Sequence, residues 1–223
     1  MDTKKYFLNT KRKTRFRWAA KKRYFLAIFK KAKAKYGLDE RRLAAEDWKE
    51  SWQTLIATIM SAQSRDTTTI PIAESLFKKY NTLEKLASAR YSDVLKVFRS
   101  LNYNKTKAKH VIEAAKFIIS EFKGKLPEKM EQLTRIPGVG RKTANIVIFE
   151  VHKKPAIVVD THVHRLSNVL GLVKTKTPEQ TERELKKIVP KKYWTDVNYI
   201  FVRWGQDVRG RDKQRLLKSL QKT

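Results

Sequence analysis

The stretch RIPGVGRKTAN, Arg135 to Asn145, puts two glycines one residue apart behind Pro137 and follows them with Arg141 and Lys142. A turn needs one such glycine. The second implies that something must come close to the backbone, because glycine takes positive φ at little steric cost and has no Cβ to hold a ligand off. If one helix ends near Arg135 and another begins at Arg141, the N–H groups of the second helix's first turn point outward at the positive end of its dipole. That is an anion site, and a nucleic-acid phosphate fits it without any reading of sequence. Arg141 and Lys142 add charge to it. The plainer alternative is a helix corner with two convenient glycines, and the run PGVGRK in a basic chain weighs against it.

Two other positions carry chemistry. Asp160 follows the apolar run Pro155 to Val159 and precedes THVHRLSNVL, so its ordinary role is to cap that helix. Lys142 offers an amine that can contact a phosphate or act as a nucleophile, and residue type alone leaves both open. His162 and His164 are two apart, which on a helix sets them about 200° around the axis from each other. They cannot converge on one ion, so no metal is assigned. His162 reads as a packing or polar contact near Asp160.

Composition supports an anionic partner. The 223 residues carry 51 Lys+Arg against 22 Asp+Glu, a formal charge of +29. Such self-repulsion points to nucleic acid before a membrane surface. No apolar run approaches the roughly 20 residues that a membrane span needs. The chain has no cysteine, which excludes disulfides, thiolate zinc sites and cysteine-ligated iron–sulfur clusters. The first 23 residues hold ten basic residues and one acid with no continuous apolar core, unlike a secretory signal.

The elements that must position these residues are helical almost throughout. Phe25, Ile28, Phe29 and Ala32 recur at helical spacing up to Gly37. Ser51 is placed to cap a helix carrying Leu55, Ile56, Ile59 and Met60. Further helices are predicted over 71–80, 82–89, 92–99 and 106–122, a short one from Pro127 to Arg135, and others over 141–151, 160–171, 178–190 and 193–205. Residues 155–159 are the only strand-like run, too short to make a sheet. The fold class is all-α.

These residues resemble a known family. LTRIPGVGRKTANIVIFE followed by PAIVVDTHVHRLSNVLGL is similar to the helix–hairpin–helix-Gly/Pro-Asp superfamily of DNA glycosylases, on its endonuclease III branch. LIATIMSAQSRDT (55–67) and NYNKTKAKHVIEAA resemble further motifs of that branch, and the register holds from about Trp52 to Gly205. The resemblance implies two helical lobes, residues 44–152 as a six-helix lobe and residues 22–43 with 153–223 as the other, with an interlobe active-site groove and a basic arm over 1–21. In the family, the lysine matching Lys142 attacks C1′ of the damaged nucleotide. Burial beside Arg141 and the helix end would favour its neutral form. The aspartate matching Asp160 stabilises charge on the opened sugar. The glutamine matching Gln63 enters the space left by the extruded nucleotide. Tyr103 falls at the wedge, where the family often has leucine. Pro137, Gly138, Val139, Gly140, Arg141, Lys107 and His162 complete the expected DNA-contacting set.

The chain departs from the branch at Arg209, which matches the first cysteine of its iron–sulfur loop, so no cofactor is expected. The implied activity is a bifunctional DNA glycosylase and AP lyase acting on a damaged, oxidised pyrimidine. The expected partner is double-stranded DNA bearing a damaged base or abasic site, bound by a monomer. The expected location is cytoplasmic and DNA-associated, or nuclear or organellar in a eukaryote. A monofunctional uracil or mismatch glycosylase is opposed by Lys142, an adenine glycosylase by Gln63. A non-catalytic DNA-binding protein would need neither Lys142 nor Asp160.

Overall fold

A computed structural model describes residues 3–37 and 42–221, with side chains from Trp18 onward, and every regular element among them is helical. In chain order these are α1 (Thr3–Tyr36), α2 (Ser51–Ser61), α3 (Asp66–Lys79), α4 (Leu83–Ala87), α5 (Tyr91–Val97) and α6 (Asn104–Phe122). After them come α7 (Met130–Leu133), α8 (Arg141–Glu150), α9 (Thr161–Val169), α10 (Pro178–Ile188), α11 (Trp194–Asp207) and α12 (Lys213–Ser219). The chain divides into two compact units, Glu40–Ala156 and Met1–Asp39 with Ile157–Thr223.

The first of these is built around α2, whose residues are buried without interruption from Thr54 to Met60. A helix apolar on all sides belongs in the middle of a core, and α2 packs against α3, α6 and α8. The buried Thr58 hydroxyl is satisfied locally, donating to the Thr54 carbonyl at 2.7 Å. The helix starts where Gln53 reaches back to accept from the Glu50 N–H at 3.0 Å, so the start rests on that reciprocal pair and not on Ser51. On α6, Ala108, Val111, Ala114, Ala115 and Ile118 form the buried stripe, a 3–4 spacing that faces one neighbour. This unit holds seven helices among the described residues, counting the four-residue α7.

The other unit joins the two ends of the chain. Phe25, Ile28, Phe29 and Ala32 of α1 share a core with Val197, Ile200, Phe201 and Trp204 of α11. The Phe25 and Phe29 rings stack at 5.0 Å, and the buried Trp204 indole donates to Ser219 Oγ at 2.9 Å. Residues 3–21, expected as a separate arm, are the first half of α1. Helix continues there because the segment has neither proline nor glycine to stop it.

The far end of α8 carries a conflict. Glu150 is the last residue of that helix, with its side chain mostly buried and Lys153 Nζ 4.0 Å away. Burial first, then Glu46 and Asp47, pushes its carboxyl up to about 7, with Lys153 opposing. A carboxylate at a helix C-terminus also faces the negative end of the dipole. A folded-state value above the unfolded one means that this group favours folding while protonated and loses that contribution as pH rises to about 7. Urea denaturation of Glu150→Gln beside the wild type should show the variant's advantage growing from about pH 4.5 to 7 and levelling above it.

Candidate functional site

The hairpin closes between α7 and α8. The Val139 N–H donates to the Ile136 carbonyl at 3.0 Å, and both side chains are buried and anchor the turn. Pro137 is half-buried, while Gly138, Gly140, Arg141 and Lys142 are exposed. The two glycines have different reasons. Gly138 has φ +78°, and a Cβ there would lie 2.9 Å from His110 Cβ on α6, so the fold itself needs it. Gly140 is extended, at φ −89° and ψ 178°, a backbone any residue adopts. A Cβ on it would meet nothing within 4 Å. Its lack of a side chain serves no contact inside the protein and leaves the first turn of α8 open to an approaching group. Lys142 is the second residue of that turn and is exposed, so the burial expected to neutralise its amine is not supplied within this unit.

Gln63 and Tyr103 stand at neighbouring tips of the same unit. Gln63, two residues past α2, has φ +54°, and Tyr103, one residue before α6, has φ +56°. Residues with a Cβ rarely adopt this left-handed backbone. Gln63 is exposed, and Tyr103 is 65 % exposed. The Asn102 amide donates to the Gln63 carbonyl at 2.7 Å and ties the tips together.

Lys107, expected in the DNA-contacting set, is buried at 4 % exposure, with Nζ donating to Ser64 Oγ at 2.8 Å. Helical spacing is the reason: Lys107 lies one position before the core residue Ala108 and four before Val111, on the side of α6 turned toward α2. Desolvation pulls its amine down to about 8.

In the other unit Asp160 is the N-cap of α9, accepting from the Val163 N–H at 2.8 Å. Two residues on, His162 lies against Gly205, where an added Cβ would come within 2.6 Å of its Nδ1. That nitrogen is buried and has no hydrogen-bond partner among the described residues. His164 turns elsewhere, its Nδ1 2.7 Å from Thr181 Oγ1. Arg165 bonds the carbonyls of Gly205 (2.7 Å), Val208 (3.2 Å) and Gly210, which ties α9 to the segment after α11. Burial holds its guanidinium below the usual value, with Arg211 adding to the fall and Asp160 opposing it.

Sequence reasoning passed over Asn102, Ser64 and His110. Asn102 had a local signal, an amide flanking an exposed aromatic ahead of a helix, a usual place for side-chain bonds to backbone. His110 had none, since its contact with Gly138 joins residues far apart in sequence. Among the described residues no group of three or more His, Cys, Asp or Glu could hold a metal, and no helix is long and apolar enough to cross a membrane.

A profile of HhH-GPD superfamily base excision DNA repair proteins matches residues 56–191. The chain is 40 % identical to endonuclease III of Thermotoga maritima over 159 residues, 71 % of this chain and 75 % of that protein. It is 36 % identical to endonuclease III of Rickettsia conorii over 159 residues, 71 % of this chain and 76 % of the relative. Its structure is similar to a trapped endonuclease III–DNA covalent intermediate, an estranged-adenine complex, with TM-score 0.78 and 27 % identity over 86 % of this chain and 90 % of that one.

The two glycines should separate in experiment. Gly138→Ala meets both the positive φ and His110, and should cost about 2 kcal/mol, a Tm fall of about 4–8 °C. Gly140→Ala should melt within about 0.5 kcal/mol of wild type yet bind duplex DNA several-fold more weakly in an anisotropy titration.

Proposed function

This chain belongs to the HhH-GPD superfamily of base excision DNA repair proteins and is a DNA glycosylase with AP lyase activity, and we propose that it removes an oxidised pyrimidine from duplex DNA with Lys142 as nucleophile and Asp160 as its carboxylate partner. The observation that carries the assignment of Lys142 is its place, exposed in the first turn of α8, directly behind the unobstructed Gly140. The structural relative held as a covalent intermediate with DNA supports a covalent route.

The chemistry follows from an amine at that place. Its lone pair forms a bond to C1′ as the glycosidic bond breaks, and the base leaves with the bonding pair and takes up a proton. Opening of the sugar gives an iminium. Loss of a C2′ proton then expels the 3′ phosphate, and water releases the lysine. Asp160 supplies the negative charge that stabilises the developing cation and takes part in moving the nucleophile's proton. Its cap bond to Val163 fixes the carboxylate in one orientation, so capping and chemistry are compatible uses of one side chain. The nucleotide must leave the stack to be reached. In this reading Gln63 and Tyr103 fill the gap, and Pro137 to Arg141 hold phosphate at the hairpin. His162 belongs to the same contact set. The protein acts as a monomer, bound to DNA in the cytoplasm or in a nucleus or organelle.

Two measurements test the reading. Borohydride should trap wild type on a duplex carrying thymine glycol, and Lys142→Gln on none. Trapping at a preformed abasic site alone would remove the oxidised-pyrimidine assignment, and no trapping would remove the Schiff base. Asp160→Asn keeps a good cap and should melt within about 0.5 kcal/mol of wild type, while its single-turnover rate on an abasic duplex falls by about 10²–10⁴.

A further inference from the structure

Gln63 and Tyr103 belong to separate loops, and each holds a backbone conformation that costs about 1–3 kcal/mol. Something must hold them there. Two side-chain bonds cross between the loops. The Asn102 amide, one residue before Tyr103, donates to the carbonyl of Gln63 itself at 2.7 Å. Lys107, the residue whose N–H donates to the Tyr103 carbonyl at 3.0 Å, donates from Nζ to Ser64, one residue after Gln63, at 2.8 Å. The bonds therefore bracket both tips. The second is made by a lysine at 4 % exposure, a residue type that is almost never so buried without a purpose for its nitrogen.

We propose that Asn102 and Lys107 are positioning residues that lock the Gln63 and Tyr103 loops into one rigid insert, so that the two side chains enter the duplex together. Neither touches the reacting atoms. They act by removing the freedom of either loop to relax away from its strained turn, which lowers the entropy lost when the tips engage DNA. The inference rests on the reading that Gln63 and Tyr103 fill the gap left by an extruded nucleotide.

The test is single-turnover strand cleavage by the full chain on an abasic site, in duplex and in single-stranded DNA, with melting curves for every variant. Asn102→Ala should lose about five- to tenfold on the duplex, the worth of one hydrogen bond, and nothing on the single strand, where no stack has to be entered. Lys107→Met, a substitution that fits the buried space, should lose on the duplex in the same direction. In a Tyr103→Ala background the Asn102 substitution should add little, because tip and bracket act as a unit. An equal loss on both substrates, or full additivity with Tyr103→Ala, would mean general loosening of the fold and overturn the proposal. Loss in Tyr103→Ala with none in Asn102→Ala would also overturn it, while leaving the tips their role. No duplex loss in either Gln63→Ala or Tyr103→Ala would overturn the reading of the tips, and the bracket with it.

Discussion

The packing of α2 against α6 sets the positions of three separate loops. Because α2 is buried from Thr54 to Met60, it has no freedom to slide or rotate without tearing a core. Its end therefore delivers Gln63 to one place at the surface. The first turn of α6 delivers Tyr103 beside it, and Lys107, one turn further in, reaches across to Ser64. His110 lies six residues past Asn104, about 9 Å along the axis, and there it meets Gly138 of the hairpin. A single helix thus carries Tyr103 at its tip, a cross-link in its first turns and the support of the hairpin beyond them.

What was legible in the sequence follows from which interactions are local. The cap at Asp160 was readable because it bonds within three residues of itself. Helix ends at Gly124 and Gly171 were readable because both glycines sit at positive φ. The hairpin was readable for the same reason, although the separate duties of Gly138 and Gly140 were not. Those depend on His110 being beneath one glycine and empty space beyond the other. The burial of Lys107 was not legible, because only the packing of α6 turns this residue inward. The start of α2 was one residue off, because a glutamine reaching backward gives a weaker signal than a serine.

Charge in this molecule is used in two manners. In the unit holding both chain ends, cations lie over aromatic faces: Arg203 is 3.8 Å from the Tyr199 ring centre, and Lys187 is 5.3 Å from that of Trp18. Such contacts let a basic surface pack without a matching number of carboxylates. Lys107 is the exception, a cation drawn inside, where desolvation weakens its hold on the proton. Charge repulsion is thus moderated within the fold, and the remainder is available to a polyanion.

The grip of Arg165 on the carbonyls of Gly205, Val208 and Gly210 has a consequence for the conditions under which the molecule keeps its shape. This segment includes Arg209, the position at which the family resemblance places the first ligand of an iron–sulfur loop. Here it is held by a guanidinium that stays charged across the physiological range, in a chain with no thiol anywhere. Those three bonds contain no thiolate for peroxide to oxidise.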